Sequence, residues 1–160
     1  MMGCRVLARG VSSFKIACRR YDTMPEDLSK SVAGHVGTHG TILKKVGDEC
    51  TVYLREFAQA LREAVRHSTP LNVAAYCIGG EKWSVGLVTV LYHCVKGMGA
   101  GVNVEPVFPF HTCSEAWNST CRGSCNMCTN ALHSRMSEEN TGIADAVQRF
   151  NQIYLELLGP

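Results

Sequence analysis

The chain has 160 residues, 46% apolar and 8% aromatic, which excludes a disordered polymer and suffices for one domain with its own core. Net charge is +2, but five of the 16 basic residues and no acid fall within positions 1–21, so residues 22–160 keep 11 basic against all 14 acidic residues, a net −3. That balance excludes a broad phosphate-binding surface, which needs clustered Lys and Arg, and no apolar run reaches the ~20 residues of a membrane helix.

Arg5, Arg9, Lys15, Arg19 and Arg20 give residues 1–21 the composition of a mitochondrial targeting segment. A secretory signal is excluded because Arg9 and Lys15 interrupt every apolar run. The expectation is a matrix protein with a single α/β domain over 22–160. Gly34, Gly37 and Gly40 then alternate with His35 and His39. These two histidines are four apart, but the glycines predict a turn-rich loop rather than a helix presenting both rings to a metal. Thr41 to Val46 reads as a short strand.

From Thr51 to His67, Val52, Leu54, Phe57, Ala58, Leu61, Ala64 and Val65 recur at helical spacing, and Pro70 stops the pattern. Leu71 to Tyr76 is apolar except for Asn72, which predicts a strand buried on both faces. Cys77-Ile78-Gly79-Gly80-Glu81-Lys82-Trp83-Ser84 then links this strand to a helix over 84–96, with Ser84 as its N-cap. Free N–H groups and the helix dipole make such a corner an anion site, and Cys77, Gly79, Gly80, Lys82 and Ser84 are its candidate ligand-binding residues. Val102 to Phe108 reads as a second strand, which completes a βαβ unit and implies a small, mostly parallel sheet with flanking helices.

Residues 110–140 form a cysteine-rich insertion. Cys121, Cys125 and Cys128, with Cys113 before them and His133 after them, are candidate metal ligands. Three thiolates with a fourth Cys or His suit tetrahedral zinc; an iron–sulfur cluster and reduced thiols are the alternatives. The Cys-x3-Cys-x2-Cys spacing also resembles the radical-SAM motif, but the 32 residues after Cys128 cannot build the barrel that chemistry requires. Nine cysteines, an odd number, argue against a full disulfide framework. His93-Cys94 resembles a cysteine-phosphatase loop, but Ala100 stands where its Arg is needed. The chain closes with an amphipathic helix over 141–158, with Ile143, Val147, Phe150, Ile153, Tyr154, Leu157 and Leu158 on one face.

The loop at 76–85 resembles the Gly-Cys-Thr-Gly-Gly-x-His-Arg-Ser-Val signature of the C-terminal domain of the RNase adapter (RapZ) family. Cys77, Gly79, Gly80, Ser84 and Val85 match; Tyr76, Ile78, Lys82 and Trp83 replace Gly, Thr, His and Arg. The likeness covers residues 50–108, and no P-loop accompanies it. It implies an α/β fold and a non-catalytic adapter that binds sugar phosphates and RNA, with the charged grip on the ligand reduced to Lys82. The functional expectation is a non-enzymatic structural or adapter subunit of a mitochondrial ribonucleoprotein, the mitochondrial ribosome or its assembly machinery. Its partners would be other subunits and RNA within that complex. A module sensing a sugar phosphate or other anion at Gly79-Gly80, and a metal-dependent enzyme at the cysteine cluster, are the alternatives.

Overall fold

The computed structural model describes residues 12–18, 30, 32–77, 82–98, 102, 121, 125–129 and 141–159. In chain order its elements are β1 (Ser12–Ala17), α1 (Gly40–Glu49), α2 (Thr51–Arg66), β2 (Leu71–Tyr76), α3 (Trp83–Lys96), the single turn α4 (Asn126–Thr129) and α5 (Thr141–Leu158). The class is α/β, as expected from the sequence. The strands pair in parallel, from Ser12 opposite Leu71 to Ala17 opposite Tyr76. A parallel pair needs a long crossover, and α1 and α2 supply it.

The parallel partner of β2 therefore lies within residues 1–21, the segment read as a targeting sequence. Phe14 and Ile16 share one face of β1, opposite Val73 and Ala75, and Ile16 and Cys18 are buried in the core. Cleavage after Arg20 would remove this strand. The strand expected over 102–108 lies outside the described residues, apart from Val102.

Among the described residues, helices pack on one side of the sheet. Leu71, Val73 and Ala75 pack against the core, whereas Asn72, Ala74 and Tyr76 are exposed. The expectation of a strand buried on both faces is corrected: the apolar run supplies one packed face, and its small or amphipathic outer residues tolerate water.

Helix α2 matches the expected helix. Tyr53, Leu54, Phe57, Ala58, Leu61 and Ala64 face inward, while Val52 and Val65 lie outside the stripe, about half exposed. Phe57 joins the layers, with ring centroids 6.2 Å from Phe14 and 5.6 Å from Phe150. Helix α5 buries Ile143, Ala146, Phe150 and Ile153, with Val147, Tyr154 and Leu157 packed beside them and Leu158 exposed. Helix α3 is apolar around most of its girth and runs through the core. Burial raises the Cys94 thiol well above its ordinary value, so the residue resembling a phosphatase nucleophile is an inert core thiol.

The strand expected at Thr41–Val46 is instead the first part of α1. Ile42, Leu43, Val46 and Gly47 are buried together, a helical stripe that the β-branched residues at its start conceal. Backbone contact seats this helix. A Cβ on Gly142 would lie 2.6 Å from the Lys44 carbonyl oxygen, and one on Gly47 would overlap the Gly142 carbonyl. Arg149 of α5 donates to the Gly47 carbonyl, where the last turn of α1 carries partial negative charge. Among the described residues, no helix is long and apolar enough to cross a membrane.

Two outcomes follow from this packing. Gly142→Ala forces backbone apart from backbone and should cost about 1–3 kcal/mol, read as a lower denaturation midpoint in urea. Burial pushes the Cys50 thiol from 9.0 up to about 11, against the opposing pull of Arg149. The unfolded chain releases that proton near pH 9, so the stability tied to it is whole below pH 9 and is lost as pH rises towards 11. Urea titrations of wild type and Cys50→Ala at pH 8 and pH 10 should show a smaller pH-dependent loss in the variant.

Candidate metal centre

The loop before α1 is built from turns. His35 N–H bonds the Val32 carbonyl at 3.1 Å and His39 N–H bonds the Val36 carbonyl at 2.9 Å. Val32 and Val36 are fully buried anchors on either side of His35. Gly34 takes a φ of 78°, a left-handed value that glycine adopts without strain. Its carbonyl accepts the Cys121 N–H at 3.0 Å, which ties the loop to the cysteine-rich segment. Cys125 precedes α4 and Cys128 lies within it, so one helical turn sets both on the same side, with Cys128 N–H bonded to the Cys125 carbonyl at 2.9 Å.

These constraints bring four side chains together. The ligand atoms of His35, Cys121, Cys125 and Cys128 all lie within 4.8 Å of one another, close enough to hold a metal ion. The Cys121 and Cys128 sulfurs are 3.7 Å apart. His35 Nδ1 is 3.4 Å from the Cys125 sulfur and 3.7 Å from that of Cys128. Zinc–sulfur bonds of about 2.3 Å and zinc–nitrogen bonds of about 2.0–2.1 Å give tetrahedral edges of roughly 3.8 Å between sulfurs and 3.5–3.6 Å between sulfur and nitrogen. These three separations match those edges and the others lie within 4.8 Å, so the four groups are compatible with one ion of this size.

The electrostatics point the same way. Burial, followed by the Cys125 and Cys121 sulfurs beside it, pushes the Cys128 thiol up to about 12, while the Val36 N–H opposes the shift. Three crowded sulfurs resist carrying negative charge together, and a bound cation reverses that by holding them as thiolates.

Of the expected metal ligands, Cys121, Cys125 and Cys128 converge; Cys113 and His133 lie outside the described residues. The turn-rich loop around His35 and His39 is present, but His35 alone joins the sulfurs. His39 has a separate task as the N-cap of α1, its Nδ1 accepting the Thr41 N–H at 3.3 Å. Burial, and then the neighbouring His35, lowers its pKa, which favours the neutral acceptor that the cap needs.

The other expected site is described only at its edges. Gly79 and Gly80 lie outside the described residues. Cys77 follows β2, and Lys82 precedes α3. Helix α3 begins at Trp83, one residue before the expected start, so Ser84 is not its cap. The buried Ser84 hydroxyl accepts a hydrogen bond from the Cys77 thiol at 3.3 Å.

Comparison with protein-family models, curated proteins and solved structures finds no match to this chain.

Gly34→Ala places a side chain on a left-handed backbone, at a cost of about 1–2 kcal/mol. Competition with a chromophoric chelator should show about tenfold weaker metal retention in Gly34→Ala, and a smaller loss in Gly34→Asn, which tolerates that conformation.

Proposed function

We propose that this chain is a non-catalytic adapter module whose loops are stapled by one zinc ion, working as a subunit of a mitochondrial ribonucleoprotein, with the mitochondrial ribosome or its assembly machinery as the leading case. The observation that carries the zinc reading is the closed ligand set. Three sulfurs and one imidazole nitrogen within 4.8 Å of one another would supply all four positions of a tetrahedron, which is the pattern of structural zinc; catalytic zinc keeps one position for water or substrate. The same spacing disfavours an iron–sulfur cluster, whose cysteines bind different iron atoms and stand farther apart. It also disfavours a metal-dependent enzyme at the cysteines.

The basic, acid-free segment 1–21 supports a mitochondrial matrix location. Because β1 occupies part of that segment, this reading requires a targeting signal that is retained or is cut before the strand. The net −3 of residues 22–160 favours docking on protein subunits, with RNA contacts local to the assembly. The RNase adapter resemblance supports the same adapter role. The corner where Cys77 meets Ser84 supports a second reading, an anion-sensing module using Lys82 and Ser84 with Gly79 and Gly80.

Metal analysis of the purified chain should find one zinc per molecule. His35→Ala and Cys128→Ser should each lower that content, and Cys113→Ser and His133→Ala should leave it unchanged. Chelation should lower the unfolding temperature, since a ligand at 1,000 times its Kd contributes about 4 kcal/mol. Affinity purification from mitochondria should recover ribosomal or RNA-processing subunits; recovery of the chain alone would sink the assembly reading.

A further inference from the structure

The loop 34–37 has two bonded sides. On one side, Gly34 accepts from Cys121 N–H, and His35 meets the Cys125 and Cys128 sulfurs. On the other side, Gly37 is pressed on the first turn of α3. A Cβ at position 37 would overlap the Lys82 carbonyl oxygen, and would stand 2.5 Å from the Gly86 nitrogen and 2.7 Å from Val85 Cβ. The fit is reciprocal, because a Cβ on Gly86 would lie 3.2 Å from the Gly37 carbonyl oxygen.

The side chains of that turn are buried, Trp83, Ser84 and Val85 among them, but its end has no side-chain cap. Lys82, the N-cap residue of α3, makes no side-chain capping bond, and an uncapped first turn leaves backbone donors unsatisfied. Its first backbone bond runs from Gly86 N–H to the Lys82 carbonyl at 2.8 Å, between the two groups that Gly37 touches. Ser84, in the same turn, holds the Cys77 thiol.

We propose that the metal centre is a clamp on the start of α3. Bound metal fixes loop 34–37, Gly37 then pins the Lys82–Gly86 turn, and the turn keeps Cys77 engaged with Ser84. The clamp rests on the zinc reading above. Without metal, loop 34–37 keeps its backbone bond to Cys121 but meets the sulfurs only through weak thiol contacts, and the hold of Gly37 on the turn weakens with it. The contact of Cys77 with Ser84, between the end of β2 and the start of α3, is thereby kept or loosened according to the state of a site on a different loop.

The test uses the full-length chain, loaded with one equivalent of zinc and then stripped with a chelator. Hydrogen exchange is followed in peptides covering 82–88 and 146–153, and alkylation of Cys77 is followed by peptide mass spectrometry. Stripping should speed exchange at 82–88 and alkylation of Cys77 at least tenfold, and leave 146–153 unchanged. Zinc-loaded Gly37→Ala should keep its zinc yet exchange at 82–88 like the stripped wild type. If Gly37→Ala does not fold, the stripped wild type alone decides. Stoichiometric zinc with no change at 82–88 or Cys77 overturns the clamp and leaves the metal centre standing. A chain that takes up no zinc overturns both. Faster exchange at 146–153 as well as 82–88 also overturns the clamp, because the metal would then support the whole domain.

Discussion

The position of His35 in the candidate metal centre depends on how α1 is seated. At Gly47 and Gly142 the backbones of α1 and α5 meet without a side chain between them. Close approach of this kind allows little sliding, because any added atom meets backbone rather than a flexible side chain. Arg149 adds a charged contact at the end of α1. With that helix fixed, the residues just before it have little freedom, and His35 is delivered to one place.

Loop 34–37 passes this constraint on in two directions. Its polar groups face the cysteines, and the bare backbone of Gly37 faces α3. The cysteine cluster and the first turn of α3 thus meet through one short loop. The chain separates His35 from Cys125 by 90 residues, yet the fold leaves them in contact. A metal bound there would close a long loop of chain, the arrangement in which a cross-link restricts the unfolded state most.

Three sulfurs and one imidazole, close enough to hold a metal ion, suit the staple proposed above. Burial makes the core thiols Cys50 and Cys94 poor nucleophiles. The outward residues of β2, Asn72, Ala74 and Tyr76, are exposed, which suits the adapter role proposed above.

Sequence by itself determined the parts whose pattern is local. Helices α2 and α5 were legible because apolar residues repeat at 3.6-residue spacing over four turns or more, and three metal ligands were legible because they sit within eight residues of one another. The rest needed tertiary structure. Phe14 and Ile16 of β1 alternate as a strand should, but the arginines around them dominate composition. Helix α1 carries Thr and Ile where strand and helix preferences overlap, and only packing against α3 and α5 decides between them. The exposure of Asn72, Ala74 and Tyr76 depends on which layers cover the sheet. His35 carries no spacing signal towards the cysteines, because a ligand supplied from a distant loop is specified by the fold around it: two buried valines, a left-handed glycine and a helix that can sit in only one place.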